Sequence, residues 1–318
     1  MWLRHMTWAP VSRIRSTRPA VCGSRKVFET LAVLTRVRQH VGMDRPENAT
    51  ARVTRLFDEI AEEYDQSGVS FFAPIAEGLV DLMDLAPGER VVDVGCGRGA
   101  VTFPAARAVG PTGSVTAVDI SPTMVEHTRL RAAELGYHQV NTAVVTGEGI
   151  GVPDESVDVV TSSLVLFFAP DPWVALRSWM RLLVPGGRIG IATFGAADST
   201  WQRVDDLFRP YLPAALLDAR TTGASGPFAT DEGVEELLTG SGATAVRTVR
   251  RPLHVHFRDA AQWRRFSMST GQRAFWRFVP EQSRGLLYDQ ATQMLEEART
   301  NGGDIVLLQD VRYTLGAC

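Results

Sequence analysis

The sequence predicts an α/β protein, a mainly parallel sheet with helices packed on both faces. Three observations carry this. Short β-rich runs near 90–96, 114–120, 140–146, 157–164 and 187–194 alternate with helical patterns near 99–109, 122–135 and 172–183, which implies parallel strands joined by right-handed crossovers. The run Val91, Val92, Val94 is apolar and β-branched on both faces, as a strand covered from both sides should be. It runs straight into Gly95-Cys-Gly-Arg-Gly99, a turn that opens a helix.

The elements follow in order. Residues 44–67 read as a helix with Phe57, Ile60, Ala61 and Tyr64 on one face, and a second helix spans Phe72–Met83. The first strand carries Asp93 two positions before its glycine turn. Gly95, Gly97 and Gly99 allow a tight turn and close backbone approach, and the helix behind them presents free N–H groups to a ligand. The second strand, Ser114–Ile120, ends in Asp119, and Ser121-Pro122 then supplies an N-cap and first-turn pair. An acid roughly 20 residues beyond the turn can accept both hydroxyls of a ribose. These features predict a nucleotide-type cofactor. Gly95-x-Gly97-x-x-Ala100 also fits the dinucleotide fingerprint, so an NAD(P)-dependent oxidoreductase stands as an alternative on these residues.

Val91-Val-Asp-Val-Gly-Cys-Gly-Arg-Gly99 resembles the first motif of class I S-adenosylmethionine (SAM)-dependent methyltransferases. Phe57-Asp-Glu-Ile-Ala-Glu-Glu-Tyr64-Asp65 resembles the N-terminal segment of the branch related to ubiquinone and menaquinone C-methyltransferases, also grouped as methyltransferase type 11. Gly147-Glu148-Gly149 and Leu182-Leu-Val-Pro-Gly-Gly-Arg-Ile-Gly-Ile-Ala-Thr-Phe194 stand where that family has its third and fifth strand motifs. The resemblance implies a Rossmann-like seven-stranded class I methyltransferase sheet with helices on both faces. Its last, antiparallel pair would be Ala245–Phe257 and Asp304–Leu315, preceded by a helix over Thr230–Gly240. A helical lid would be inserted near those C-terminal strands, at 196–229 and 259–303. The aromatic residues of these two segments equally fit a structural helical layer.

The resemblance also assigns roles. Asp93 would order the glycine loop or reach the methionine amine, which a carboxylate binds by a charge-assisted hydrogen bond. Gly95, Cys96 and Gly97 would form the loop, and Asp119 with Ile120 would meet the ribose. Met124 would pack on the adenine face. Gly147 and Glu148, or Thr146 in another alignment, would approach the adenine edge, and Ser163 would close the site at the fourth strand. Tyr64-Asp65 would line it. For Met124 and Tyr64, ordinary core packing is an equal expectation.

Methyl transfer from a sulfonium is an in-line displacement in which the protein mainly orients the acceptor and excludes water. Many relatives place histidines where this chain has Phe167 and Phe168. That substitution predicts an apolar wall and an apolar or aromatic small-molecule acceptor, methylated on C, O or N in bacterial secondary-metabolite or quinone biosynthesis. Phe167, Phe168 and Trp201 are the acceptor-side candidates. If a base is needed, Tyr64, His254 and His256 are the candidates, though the histidines, alternating about Val255, fit a surface strand better. The acids of metal-dependent catechol O-methyltransferases are absent, so no metal is expected. A cyclase or isomerase that keeps SAM without transferring its methyl is the second alternative.

Composition narrows the field further. At 45% hydrophobic residues the 318-residue chain can bury a large core. No apolar stretch approaches the ~18 residues of a membrane span. Cys22, Cys96 and Cys318 are too few and scattered for a disulfide framework, which fits a cytoplasmic protein. Residues 1–42 hold seven arginines and Lys26 against Glu29, a net +7 that leaves −10 for the remainder of a chain whose total is −3. An acidic body argues against nucleic acid as partner. The basic segment reads as a disordered extension, a transit peptide or residues upstream of a true start at Met43. The arginine bias favours the last, with the methyltransferase domain at 43–318. A homodimer is left open.

Overall fold

The computed structural model describes residues 46–145, 149–213, 226–299 and 302–318. The basic extension, Thr146, Gly147 and Glu148 lie outside the described residues.

The strands are β1 (Arg90–Val94), β2 (Ser114–Asp119), β3 (Val140–Val144), β4 (Val157–Ser163), β5 (Leu183–Ala197), β6 (Thr244–Phe257) and β7 (Ile305–Ala317). They form one sheet in the order β3-β2-β1-β4-β5-β7-β6. The first five are parallel, while β7 runs antiparallel between β5 and β6. The chain leaves β1 toward β3 and returns to β4 on the other side of β1. The carboxyl ends of β1 and β4 therefore flank the switch point, where ligands of such sheets bind.

Val91, Val92 and Val94 are buried between two helical layers. On one face α2 (Phe72–Met83) packs through Ile75, Leu79 and Met83. The crossover helices are α3 (Thr102–Val109), α4 (Pro122–Glu134) and α5 (Pro172–Met180). The expected starts hold because short polar residues cap them. Ser121 accepts from Met124 N on α4 at 3.1 Å, and Asp171 accepts from Trp173 N and Val174 N on α5 at 2.9 and 3.1 Å. Each such cap is worth about 1 kcal/mol.

Three boundaries differ from expectation. The N-terminal helix, α1 (Pro46–Ile60), ends before Tyr64, and turns carry the chain to Asp65, whose φ is +58°. The helix after the glycine turn begins only at Thr102, because Gly95, Gly97 and Gly99 all adopt positive φ. Strand β5 starts ahead of Pro185-Gly-Gly, which forms an irregularity between the pairs Val157–Leu183 and Val159–Arg188.

The remaining helices are α6 (Ser199–Asp206), α7 (Asp231–Gly240), α8 (Ala260–Met268), α9 (Arg273–Phe278) and α10 (Glu281–Glu297). Asp198, Thr230 and Asp259 cap α6, α7 and α8. Their aromatic residues share the core of the sheet: Trp201 and Phe266 both touch Phe71 and Phe257, and Trp276 touches Phe208 and Trp263. Buried Arg312 ties α7 to the sheet, bonding Asp231 and the carbonyls of Phe194 and Phe228. The outer strand β6 carries Arg247, Arg250, Arg251 and Pro252, residues that discourage edge-to-edge pairing.

Candidate active site

The glycine turn folds back over the end of β2. Gly95 N and Cys96 N both donate to Val118 O, at 2.8 and 3.0 Å, and Gly97 N donates to Asp119 Oδ2 at 2.9 Å. Asp119 Oδ1 accepts from Ser121 N at 2.9 Å, so one carboxylate joins the turn to the start of α4. Thr128 on α4 donates to Gly97 O at 2.7 Å. Burial raises the Asp119 carboxyl against the pull of these amides. A carboxylate has about four acceptor positions, and the two amides leave room for two hydroxyls.

Asp93 is inside the protein at 1% exposure, accepting from Thr102 Oγ1 at 2.6 Å and Thr161 Oγ1 at 3.4 Å. It braces β1 against β4 and the start of α3. Of its two expected roles, this geometry serves the ordering of the loop. Burial pushes its carboxyl up to about 7, opposed by the two threonine hydroxyls. Cys96 is also buried, and burial beside Asp119 and Asp93 pushes its thiol up, so it is a small unreactive filler.

The segment after α1 lies over this turn. Asp58 accepts from Ser121 Oγ at 2.5 Å and Thr123 N at 3.3 Å. Arg98, from the middle of the turn, donates to Ala61 O at 2.6 Å and Glu62 O at 3.3 Å. A Cβ added to Gly97 would meet Tyr64 Cε1 at 3.8 Å, so the tyrosine ring rests on the turn. Met124 is buried against Leu56, Ile60 and Ala61. Sequence reasoning missed Asp58 and Arg98; Arg98 could have been found as a long donor in a turn otherwise built of small residues.

Beyond β4 the chain turns at Leu164, whose φ of +60° is uncommon for a non-glycine residue and strains the backbone there. Ser163 and Ile120 are partly exposed at the ends of β4 and β2. Phe168 is half-buried, edge-on to Phe57 at 5.3 Å, and Phe57 in turn meets Tyr64 at 6.0 Å.

Several acceptor-side expectations need correction. Phe167 is 5% exposed among Phe168, Phe194 and Phe228, and Trp201 is 6% exposed, so both are core rings behind the wall rather than its surface. His254 and His256 lie exposed on the outermost strand, and His256 faces Asp304 at 3.6 Å. Strand order places β7, β5 and β4 between them and β1, so they are not base candidates. Tyr64 is in the site, but burial and then the charges of Asp65 and Asp119 hold its hydroxyl well above the ordinary phenol range. A hydroxyl held that high keeps its proton and is a poor base. Asp65 beside it is pushed up to about 6 by burial, against the Arg98 charge.

A titratable group that the sequence reading overlooked stands on α6. Asp205 accepts from Gln272 Nε2 at 2.6 Å, and burial pushes it up to about 7. Gly271, next to Gln272, faces the Phe168 ring. Among the described residues, no group of three or more His, Cys, Asp or Glu is placed to hold a metal ion.

A glycine turn at the switch point, an acid ending β2, and a seven-stranded sheet with one antiparallel strand define the class I SAM-dependent methyltransferase. The residues fit that cofactor: three glycines keep the turn low at positive φ, and Asp119 retains acceptor positions. Residues 92–191 match a family described as methyltransferase domain. The chain is 36% identical over 278 residues to nocamycin O-methyltransferase of Saccharothrix syringae, covering 82% of this chain and 96% of that one. It is 40% identical over 167 residues to aklanonic acid methyltransferase DauC of Streptomyces sp. (strain C5), covering 52% and 76% respectively. Among solved structures, the YcgJ protein of Bacillus subtilis superposes with a TM-score of 0.50 at 17% identity, covering 77% of this chain and 97% of that one. A Haemonchus contortus phosphoethanolamine N-methyltransferase 2 superposes at 0.54 and 15% identity, covering 87% and 60%. The chain belongs to the class I SAM-dependent methyltransferases. Among the described residues no helix is long and apolar enough to cross a membrane.

Proposed function

We propose that this enzyme moves the methyl group of SAM to an oxygen of an apolar or aromatic small molecule in bacterial secondary metabolism, within the cytoplasm. The observation that carries the reading is the wall beyond β4: Phe168 with Phe57 and Tyr64, a continuous aromatic surface over the glycine turn. The choice of oxygen follows the relative named an O-methyltransferase, which matches across most of both chains.

SAM, when bound, supplies an activated methyl on a positive sulfur. The chain's own residues do the rest. Asp93 with Thr102 and Thr161 stiffens the turn, Asp119 orients the cofactor, and Ser163 and Ile120 border it. Phe168 and Phe57 exclude water from the reacting atoms, which matters for a displacement that solvent would compete for. The described helices of the two acceptor-side segments, α6 and α8 to α10, cover the acceptor in this reading. Where the acceptor oxygen carries a proton, Asp205, held by Gln272, is the group that takes it; a carboxyl titrating near neutrality suits that work.

The test is turnover of hydroxylated and carboxylated polycyclic polyketides with 13C-methyl SAM. S-adenosylhomocysteine should appear with the label on oxygen in the product NMR spectrum. Asp205→Asn should lower kcat on hydroxyl acceptors and leave sinefungin affinity unchanged. Label on carbon or nitrogen, or a rearranged product without S-adenosylhomocysteine, overturns the proposal.

A further inference from the structure

Helices α8, α9 and α10 enclose a cleft of about 240 Å³ lined by Arg264, Met268, Arg273, Trp276, Arg277 and Arg284. Four arginines line one small volume, and no acidic residue does. Two of them are already paired from the α1 side: Arg273 with Glu63 at 3.3 Å, and Arg277 with Glu59. The other two have no carboxylate partner among the described residues. Arg284 donates Nε to Val279 O at 3.1 Å, and Arg264 stacks over Tyr288 at 4.8 Å and Trp276 at 5.9 Å. Ring stacking fixes a guanidinium plane without using its outward N–H donors.

The floor has a different character. Trp276 is 3% exposed, its Nε1 already donating to Ser267 Oγ at 2.9 Å, and Met268 is half-buried. Neither offers a free polar atom to a ligand. Arg264, Arg277 and Arg284 are exposed, and an excess of two positive charges above an apolar floor suits a partner that brings both a negative charge and apolar surface. The chemistry that satisfies both parts is a flat apolar body bearing a carboxylate: the fork of a guanidinium takes both carboxylate oxygens, and the ring lies on the Met268 thioether and the arginine stems. A bare inorganic anion uses only the rim. The volume admits one or two fused rings.

We infer that this cleft is a binding site for a small aromatic carboxylate, separate from the glycine turn and Asp119. It goes beyond the methyl-transfer reading and does not rest on it.

The experiment is calorimetry on the full chain with 1-naphthoate, with inorganic phosphate and the neutral 1-naphthalenemethanol run beside it. Naphthoate should bind saturably, and both comparators at least roughly tenfold more weakly, because each engages only half the site. The double variant Arg264→Gln/Arg284→Gln keeps polar stems at an exposed surface; it should weaken naphthoate by roughly tenfold or more. Sinefungin affinity should not change, which shows that the fold and cofactor site survive. Absence of saturable naphthoate binding, or equal binding by the double variant, overturns the inference. So does phosphate or the neutral alcohol binding as tightly as naphthoate. Failure of sinefungin to bind the wild type would instead strike the methyltransferase reading and leave this one standing.

Discussion

Replacing Gly95 by Ala tests how tightly the glycine turn is built. Gly95 has φ +74°, and a Cβ there would lie 2.2 Å from Val165 Cγ2 and 2.8 Å from Val165 Cγ1. Two costs add. The left-handed backbone costs an alanine about 1–2 kcal/mol, and forcing methyls together in a packed site costs about 1–3 kcal/mol more. Gly136→Ala separates them: its φ is +72°, but nothing stands within 4 Å of the added atom, so it should lose only the first amount. Urea unfolding should therefore place Gly95→Ala about 2–5 kcal/mol below wild type and Gly136→Ala about 1–2 kcal/mol below it. In a Val165→Ala background the clash with the two γ-methyls disappears, so the cycle should show a favourable coupling of about 1–3 kcal/mol. Sinefungin calorimetry on the same proteins should show affinity lost in Gly95→Ala and partly regained in the double variant. Equal losses at positions 95 and 136, with no coupling to Val165, would refute the close packing of the turn against the β4 end.

Two further outcomes follow from the same region. Burial lifts Asp93 from 3.8 to about 7, so the folded protein holds that proton more tightly than the unfolded chain. Its stabilising contribution is present below about pH 4 and lost as pH rises through about 7; a shift near three units is about 4 kcal/mol. The stability difference between wild type and Asp93→Asn should change by that order between pH 4 and 8, read from denaturant unfolding at each pH, and a pH-independent difference would contradict it. Arg98→Ala removes the two bonds to Ala61 O and Glu62 O. Amide exchange should speed up across residues 58–66 while β1 stays protected, and unchanged exchange there would show that Asp58 alone holds the segment.

The alternation of strands and helices was readable from the residue pattern because several parallel strands are bounded by strong punctuation: Gly95-Cys-Gly after β1, Ser121-Pro122 after β2, and Pro185-Gly-Gly within the start of β5. Local chemistry of that kind acts over a few residues, so it survives without knowledge of the fold. Asp119 was readable for the same reason, as an acid at a strand end behind a glycine turn.

The roles of side chains were another matter, since they depend on partners far along the chain. Asp93 is a brace because Thr102 and Thr161 arrive from α3 and β4. Tyr64 is disqualified as a base because burial is decided by everything packed around it. His254 and His256 were set aside by sheet order, a property of how β7 inserts between β5 and β6, which alternation along one strand cannot reveal. Asp205 acquired its interest from Gln272, 67 positions away. Patterning near in sequence thus marked out the scaffold and the glycine turn at its switch point, while burial and long-range contact, which exist only once the chain is folded, decide which acids and phenols there are shifted from their ordinary titration.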